Sequence, residues 1–391
     1  MRLAHLSDLH IGKKFNEISL YEDQEIILEQ IINILREEEV DTVLISGDVY
    51  DKAQPAARAV SILNGFLTEL SSLGVHILMI AGNHDAPARL AYGGSLFKQL
   101  DIHLAGKLEG LPEVVTLSDE FGPVNFVMLP FFRLHEIKTL FPENLDELDS
   151  YTNAVKFILK GLDLPENERK VILSHQYFAG IDPVKLSESE MDIIGGLNAI
   201  DVKVLDGFTY AALGHIHRPQ KLWKDNFRYA GSPLAYSFSE INQNKVVPII
   251  DLDERLDNCD IKLLPLRPLR VVREIEGRFD EILEAAKDED PARTRDILRV
   301  KLTDEKRLIN AMRRLQAYYP NIVHLQFERE IVETEYVNEE FRGNIKNRDF
   351  IALFSMFYKT QTTRDLSEED RDKLAGLWHE MSIEEEEEQR T

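Results

Sequence analysis

Thr42-Val43-Leu44-Ile45-Ser46-Gly47-Asp48 decides how this chain is read. A β-branched, apolar run of this kind forms a buried strand. It stops at a glycine and a carboxylate, and the glycine lets the backbone turn sharply beside the acid. Working outward, the same pattern recurs on both sides. Leu3 to Leu6 is a short apolar strand leading into Ser7-Asp8-Leu9-His10. Val75 to Ala81 leads into Gly82-Asn83-His84-Asp85. Lys170 to Ser174 ends at His175, and Thr209 to Leu213 ends at Gly214-His215-Ile216-His217. Five blocks of Asp, Asn and His therefore stand at strand ends, where loops can gather them around one point.

Helical segments separate the first strands. Leu20 to Glu39 carries Ile26, Ile27, Ile31, Ile34 and Leu35 as an apolar stripe. Ala56 to Leu73 is a second helix, with Gly74 as its stop. The β-α-β-α-β order predicts an α/β layered domain with a partly parallel sheet. Val124 to Leu129, Lys170 to Ser174, Thr209 to Leu213, Phe227 to Ala230 and Val246 to Leu252 predict a second sheet packed on the first. The expected fold class is α/β: a β-sandwich flanked by helices over residues 1–265.

Pro265-Leu266-Arg267-Pro268 is a stiff linker. Beyond it, strands at Val271–Ile275, Asp296–Leu302 and Asn321–Phe327 alternate with helices at Asp280–Lys287 and Lys306–Tyr318. This predicts a small α+β domain over residues 269–330. A polar stretch, Asn338 to Arg348, follows. Phe350, Ile351, Phe354, Phe357 and Tyr358, then Leu374, Leu377, Trp378 and Met381, lie at helical spacing. Ser367-Glu368-Glu369-Asp370 is a start signal for the second set. They predict a helical segment over 338–383 that either packs on its own chain or docks a partner. An acidic tail, 384–391, ends the chain.

A chain of 391 residues is expected to hold two or three domains. Its formal net charge of -23 argues against binding nucleic acid through the global field, though not against a local basic groove. The single cysteine, Cys259, excludes an intrachain disulfide and a cysteine-based zinc site, and fits a reducing cytosol. The first residues lack the apolar core of a signal peptide, and no stretch is long enough to span a bilayer. The expectation is a soluble cytoplasmic protein.

Asp8 and His10 are two apart, as are His215 and His217. A period of two puts each pair on one face if the strand continues through it. Oxygen and imidazole donors without thiolate suit two hard-to-borderline divalent metals. A two-metal site of this kind is built to hydrolyse phosphate esters.

The ordered set Asp-x-His, Gly-Asp, Gly-Asn-His-Asp, His and Gly-His-x-His, from Asp8 to His217, resembles the calcineurin-like metallophosphoesterase family. Closer cues are His5-Leu6-Ser7-Asp8-Leu9-His10-Ile11-Gly12, Gly82 to Leu90, Gly214 to Gln220, Tyr229-Ala230-Gly231-Ser232-Pro233 and Ser237-Phe238-Ser239-Glu240. These are similar to the SbcD-type nucleases within that family. The resemblance implies a first metal on Asp8, His10, Asp48 and His217, and a second on Asp48, Asn83, His175 and His215, with Asp48 bridging. It implies His84 as the catalytic histidine, and it favours manganese. Asp85 is expected to orient His84. Asp51 stands where some relatives carry a second active-site histidine, so it is expected only to steer a contact near the site.

The resemblance further implies a metal-dependent nuclease in DNA repair, recombination and replication. It would trim double-stranded DNA ends as a 3′-to-5′ exonuclease and cut hairpins and single strands endonucleolytically. It would act as a homodimer within a heterotetramer, with an SbcC-like ATPase whose coiled-coil base binds the C-terminal helices. The chain has no phosphate-cradling Gly-Lys-Ser/Thr loop, so any ATP dependence would come from the partner. Lys13, Lys14, Arg58, Arg89, Arg133 and Arg218 are candidates to touch DNA phosphates. A small-molecule or cyclic-nucleotide phosphodiesterase is the alternative, but it has no evident use for the extra domain and helices. A non-enzymatic scaffold is disfavoured by the intact donor set.

Overall fold

The computed structural model describes residues 1–180, 184–187, 199–304 and 308–328, with eight further positions between 354 and 374. Four parallel strands form most of the first sheet: β1 (Arg2–Leu6), β2 (Thr42–Ser46), β3 (His76–Ile80) and β4 (Ile102–Ala105). Six strands then build the second sheet. They are β5 (Glu113–Asp119), β6 (Gly122–Leu129), β7 (Arg169–Ser174), β8 (Tyr210–Leu213), β9 (Gln220–Leu222) and β10 (Lys224–Tyr229). Their spatial order is β9-β10-β8-β7-β6-β5, parallel from β10 to β6 and antiparallel at both edges. The chain returns to the first sheet through β11 (Val246–Asp251) and β12 (Asp260–Pro265). Strand β11 adds antiparallel to β1, and β12 adds antiparallel to β11.

Alternation along each strand explains the layering. Leu3, Leu44, Leu78 and Ile80 meet Val124, Phe126, Met128, Val171, Leu173 and Tyr210 in the core between the sheets. Their neighbours Ala4, Leu6, Val43, Ile45, Ile77 and Met79 face outward, against α1 (Tyr21–Glu37) and α2 (Ala57–Ser72). On the other side, Val127, Leu129, Ile172 and Ala211 pack with Ala154, Val155 and Ile158 of α3 (Tyr151–Lys160). The central strands are buried on both faces, which is why they read as unbroken apolar runs. Ser150 starts α3 by accepting the Asn153 N–H at 3.2 Å. Leu63 and Phe66 belong to the core under α2.

Parallel pairing places the C-terminal ends of β1, β2 and β3 along one edge of the first sheet, and it aligns Ser174 with Leu213 at the ends of β7 and β8. The Ser46 hydroxyl donates to the Ala212 carbonyl at 2.9 Å and ties the two edges together. All five blocks of polar residues follow these strand ends.

The chain divides into two compact units: 1–274 with 289–299 and 318–323, and 275–288 with 300–317 and 324–391. Past the linker, β13 (Val272–Gly277), β14 (Ile297–Leu302) and β15 (Ile322–Phe327) form a sheet in that order. Within the second unit lie α4 (Phe279–Asp288) and α5 (Ala311–Gln316). The Phe279 N–H donates to the Asp304 carboxylate at 2.7 Å, and the Arg314 guanidinium lies 4.2 Å from the centre of the Phe279 ring. The helix expected over 306–318 is shorter than its pattern, because Asn310 takes a left-handed φ of 58° before α5, and residues 305–307 lie outside the described residues. The two expected C-terminal helices also lie outside them, apart from isolated positions. One of those, Ser367, accepts the Asp370 N–H at 3.2 Å, the contact that its start signal requires. No helix among the described residues is long and apolar enough to cross a membrane.

Candidate metal centre

Every strand-end residue in the expected donor set enters one cluster. His10 Nε2 and His217 Nε2 face each other at 3.1 Å. Asp48 Oδ2 lies 3.6 Å from His10 Nε2, 3.3 Å from His175 Nε2 and 4.0 Å from His84 Nε2. Asn83 Oδ1 stands 3.1 Å from His175 Nε2 and 3.0 Å from His215 Nδ1. Asp8 Oδ1 is 4.0 Å from His175 Nε2, and the Asp8 carboxylate accepts the backbone N–H of His215 at 3.1 Å. Asp8, His10, Asp48, His175, His215 and His217 are buried, whereas the His84 side chain keeps 33 % of its exposure.

The route to this convergence differs from the expected one. A strand running through each pair would share faces, but β1 stops at Leu6 and β8 at Leu213. Asp8, His10, Asp48 and His215 instead adopt positive φ of 52°, 43°, 50° and 92°. Left-handed turns at single residues, a conformation that Asp and His enter more readily than most, curl each loop inward. Backbone bonds lock the loops together: Asp8 N–H to the Gly47 carbonyl at 3.0 Å, and His10 N–H to the Asp48 carbonyl at 2.9 Å. Gly47, at φ +88°, leaves no room for a side chain, since a Cβ there would sit 2.3 Å from His175 Nδ1. Gly82 is needed for proximity instead, because its Cβ would meet Asp48 Oδ1 at 2.1 Å.

Burial works against charge on His175, but the Asp48 and Asp8 carboxylates override it and raise its pKa to about 9. Burial likewise disfavours charge on Asp48, but the imidazoles of His175, His10 and His84 hold its carboxyl well below the ordinary range. His215, buried and beside His175, is lowered to about 3. Burial raises the Asp8 carboxyl, so of the two buried carboxylates Asp48 is the one its imidazole neighbours hold ionised. Three groups of donor atoms can each hold a metal ion: Asp8, His10 and His217; His10, Asp48 and His84; Asp8, Asp48 and His175. The His175 ring donates through Nδ1 to the Ser46 carbonyl at 2.6 Å, which aims Nε2 into the cluster, where a bound cation would displace the proton that the carboxylates otherwise hold there. Oxygen and imidazole donors, buried and convergent, fit divalent cations.

The sequence predicts that Asp51 steers a contact near the site and that Asp85 orients His84; it does not predict the tie of Glu240 and Lys245 to His217. Asp85 does not orient His84: its carboxylate turns away and accepts the N–H groups of Gly82, Val49 and Tyr50 at 2.9, 3.1 and 2.9 Å. The His84 ring is held by the Asp51 carbonyl, which accepts from Nδ1 at 2.9 Å. The Asp51 carboxylate pairs with Lys13 at 2.8 Å. Behind His217 lies a buried Glu240–Lys245 ion pair of 2.6 Å. Among the other candidate phosphate contacts, Lys14, Arg58, Arg89 and Arg133 are exposed and Arg218 is half-buried, and Arg58 is engaged by Glu25 at 3.2 Å.

Residues 1–219 match the calcineurin-like phosphoesterase family, and residues 265–362 match the family described as the type 5 capsule protein repressor C-terminal domain. The chain is 30% identical over 384 residues to the SbcD component of the SbcCD nuclease of Staphylococcus epidermidis, covering 96% of this chain and 98% of that protein. Among solved structures, it is similar to a dimetal phosphatase from Danio rerio (14% identity, TM-score 0.40, covering 68% of this chain and 96% of that one). It is also similar to the sulfate thiohydrolase SoxB of Thermus thermophilus (10% identity, TM-score 0.32, covering 73% and 66%). With a family match across its first 219 residues and a relative aligned along nearly its whole length, the chain belongs to the calcineurin-like phosphoesterases and, within them, to the SbcD family.

Proposed function

We propose that this chain is the nuclease component of an SbcCD-type complex, a two-metal phosphodiesterase that acts on DNA. The observation that carries the reading is the single Asp48 oxygen within 3.3–4.0 Å of His175, His10 and His84. One carboxylate shared among donors from three other loops is what a bridging ligand requires. Asp8, His10, Asp48 and His217 would hold one ion, and Asp48, Asn83, His175 and His215 the other. Manganese is the metal we propose. When bound, the ions supply Lewis-acid polarisation of the phosphodiester and offset its charge.

The chain's own groups do the rest. The Asp51 carbonyl accepts a hydrogen bond from His84 Nδ1–H, so Nε2 is the ring atom left for the substrate. With both ring nitrogens protonated, His84 would deliver its Nε2 proton to the leaving sugar oxygen and keep Nδ1–H hydrogen-bonded to the Asp51 carbonyl. Residues 1–265 would form the nuclease domain, 269–330 a cap over DNA, and 338–383 the segment that docks an SbcC-type ATPase. In the assembly, two copies would act with the ATPase on double-stranded ends as an exonuclease and on hairpins and single strands as an endonuclease. Exposed Lys14, Arg89 and Arg133 are the cations proposed to meet DNA phosphates.

The test is degradation of a linear duplex in Mn²⁺, with and without an SbcC-type ATPase and ATP. Metal-dependent loss of DNA ends, stimulated by the partner, is expected. Intact DNA under all of these conditions would sink the reading.

A further inference from the structure

Glu240 and Lys245 form a buried ion pair of 2.6 Å, with side-chain exposures of 0% and 6%. Two charges taken out of water are costly, and a pair of apolar residues would often serve the fold as well or better. The pair also grips one residue twice. Glu240 Oε1 lies 3.4 Å from His217 Nδ1, and Lys245 Nζ donates to the His217 carbonyl at 2.8 Å. The carboxylate is itself fixed from several sides. Oε1 accepts the Tyr236 N–H at 3.2 Å and the Ser237 hydroxyl at 3.1 Å, and Oε2 accepts the Ser232 hydroxyl at 3.3 Å. The far nitrogen of the same ring, Nε2, is the atom that faces His10 in the metal-ligand cluster.

We propose that Glu240 is the positioning residue of the first metal ion: it fixes His217 as the Nδ1–H tautomer, with its Nε2 lone pair aimed into the cluster. The inference rests on the two-metal reading above. A carboxylate behind a metal-bound imidazole sets tautomer and ring orientation and strengthens the donor, and losing it typically costs 10–100-fold in metal affinity. Lys245 balances the charge of Glu240 and pins the His217 backbone, so ring and main chain are held by opposite ends of one ion pair.

Calorimetric titration of the full, chelator-stripped chain with Mn²⁺ tests this. Glu240→Gln strands a buried ammonium, so the decisive variant is Glu240→Gln/Lys245→Met, which removes both charges. Native protein is expected to take up two ions, and the double variant to bind one of them roughly 10–100-fold more weakly while still melting cooperatively. Two ions bound with native affinities by the double variant would overturn the inference and leave the metal centre standing. A native chain that takes up no Mn²⁺ would remove both. Should the double variant fail to fold, Glu240→Asp decides. It keeps a charge for Lys245 but withdraws the carboxylate from His217, and unchanged affinity would again overturn the assignment.

Discussion

His84 is the histidine of the centre that is one third exposed, and its Nδ1 is tied to a main-chain carbonyl rather than to a metal-ligand position. Its removal should leave the seven proposed ligands in place, although its Nε2 lies 4.0 Å from Asp48 Oδ2 in one of the three possible donor groups. His84→Ala is expected to retain two ions by elemental analysis and to lose roughly 10²–10⁴-fold in turnover. Metal loss instead would make it a ligand. Asp48→Ala is expected to empty both positions, because its Oδ2 serves donors on either side. The seven proposed ligands were legible because each follows a buried apolar run, and a strand end gives its loop little freedom of place. Asp85 was misread for a physical reason. Adjacency in sequence suggested a partner for His84, but a carboxylate at a tight turn gains more from the free N–H groups of Gly82, Val49 and Tyr50. Glu240 stands in the sequence only as part of the cue Ser237-Phe238-Ser239-Glu240; nothing there ties it to His217, 23 residues away with no periodic relation.

Loops and strands are held by staples of the same kind. Asp85 joins the turn after β3 to the turn after β2, so Asp85→Ala strands three buried N–H groups at roughly 1–3 kcal/mol each. A lower melting temperature together with weaker Mn²⁺ uptake is expected; loss of neither would mean that water replaces the carboxylate. Across the second sheet, Arg169 of β7 reaches Asp119 of β5 at 2.5 and 2.9 Å. The Arg169 guanidinium holds the Asp119 carboxyl below its ordinary 3.8. A depressed carboxylate contributes its full stability above 3.8 and loses it only as pH falls through the lower folded value. Asp119→Asn is therefore expected to cost about 3 kcal/mol at pH 7. The gap in denaturant midpoint should close only in strong acid, and a gap that is independent of pH would refute the pairing. Elements missed in the sequence are those whose pattern is short or borrowed. Helix α3 buries only Ala154, Val155 and Ile158 across ten residues, too brief a stripe for a helical period to declare itself. Strand β12 is a mostly exposed edge whose pairing is dictated by β11.

For the whole molecule, a net charge of -23 means that DNA would be drawn in by a local cationic surface and the bound ions rather than by the overall field. The same acidity would make a separate docking element useful, because tethering to the proposed partner would supply an encounter that the field opposes. The docking element proposed above lies after residue 338, where the sequence has a polar stretch, then Phe350, Phe354 and Phe357, then Leu374, Leu377, Trp378 and Met381 at helical spacing. A helix with a single apolar face binds a partner by laying that face into a groove. Nothing in the donor set lies beyond His217, so docking and chemistry are separable in the sequence. Deletion of residues 338–391 is expected to abolish co-purification with an SbcC-type ATPase while hydrolysis of a simple phosphodiester dye in Mn²⁺ stays within a few-fold of native. Undiminished co-purification would place the contact elsewhere. Loss of dye hydrolysis at an unchanged melting temperature would mean that the terminal segment contributes to the active site, and the separation argued here would fail.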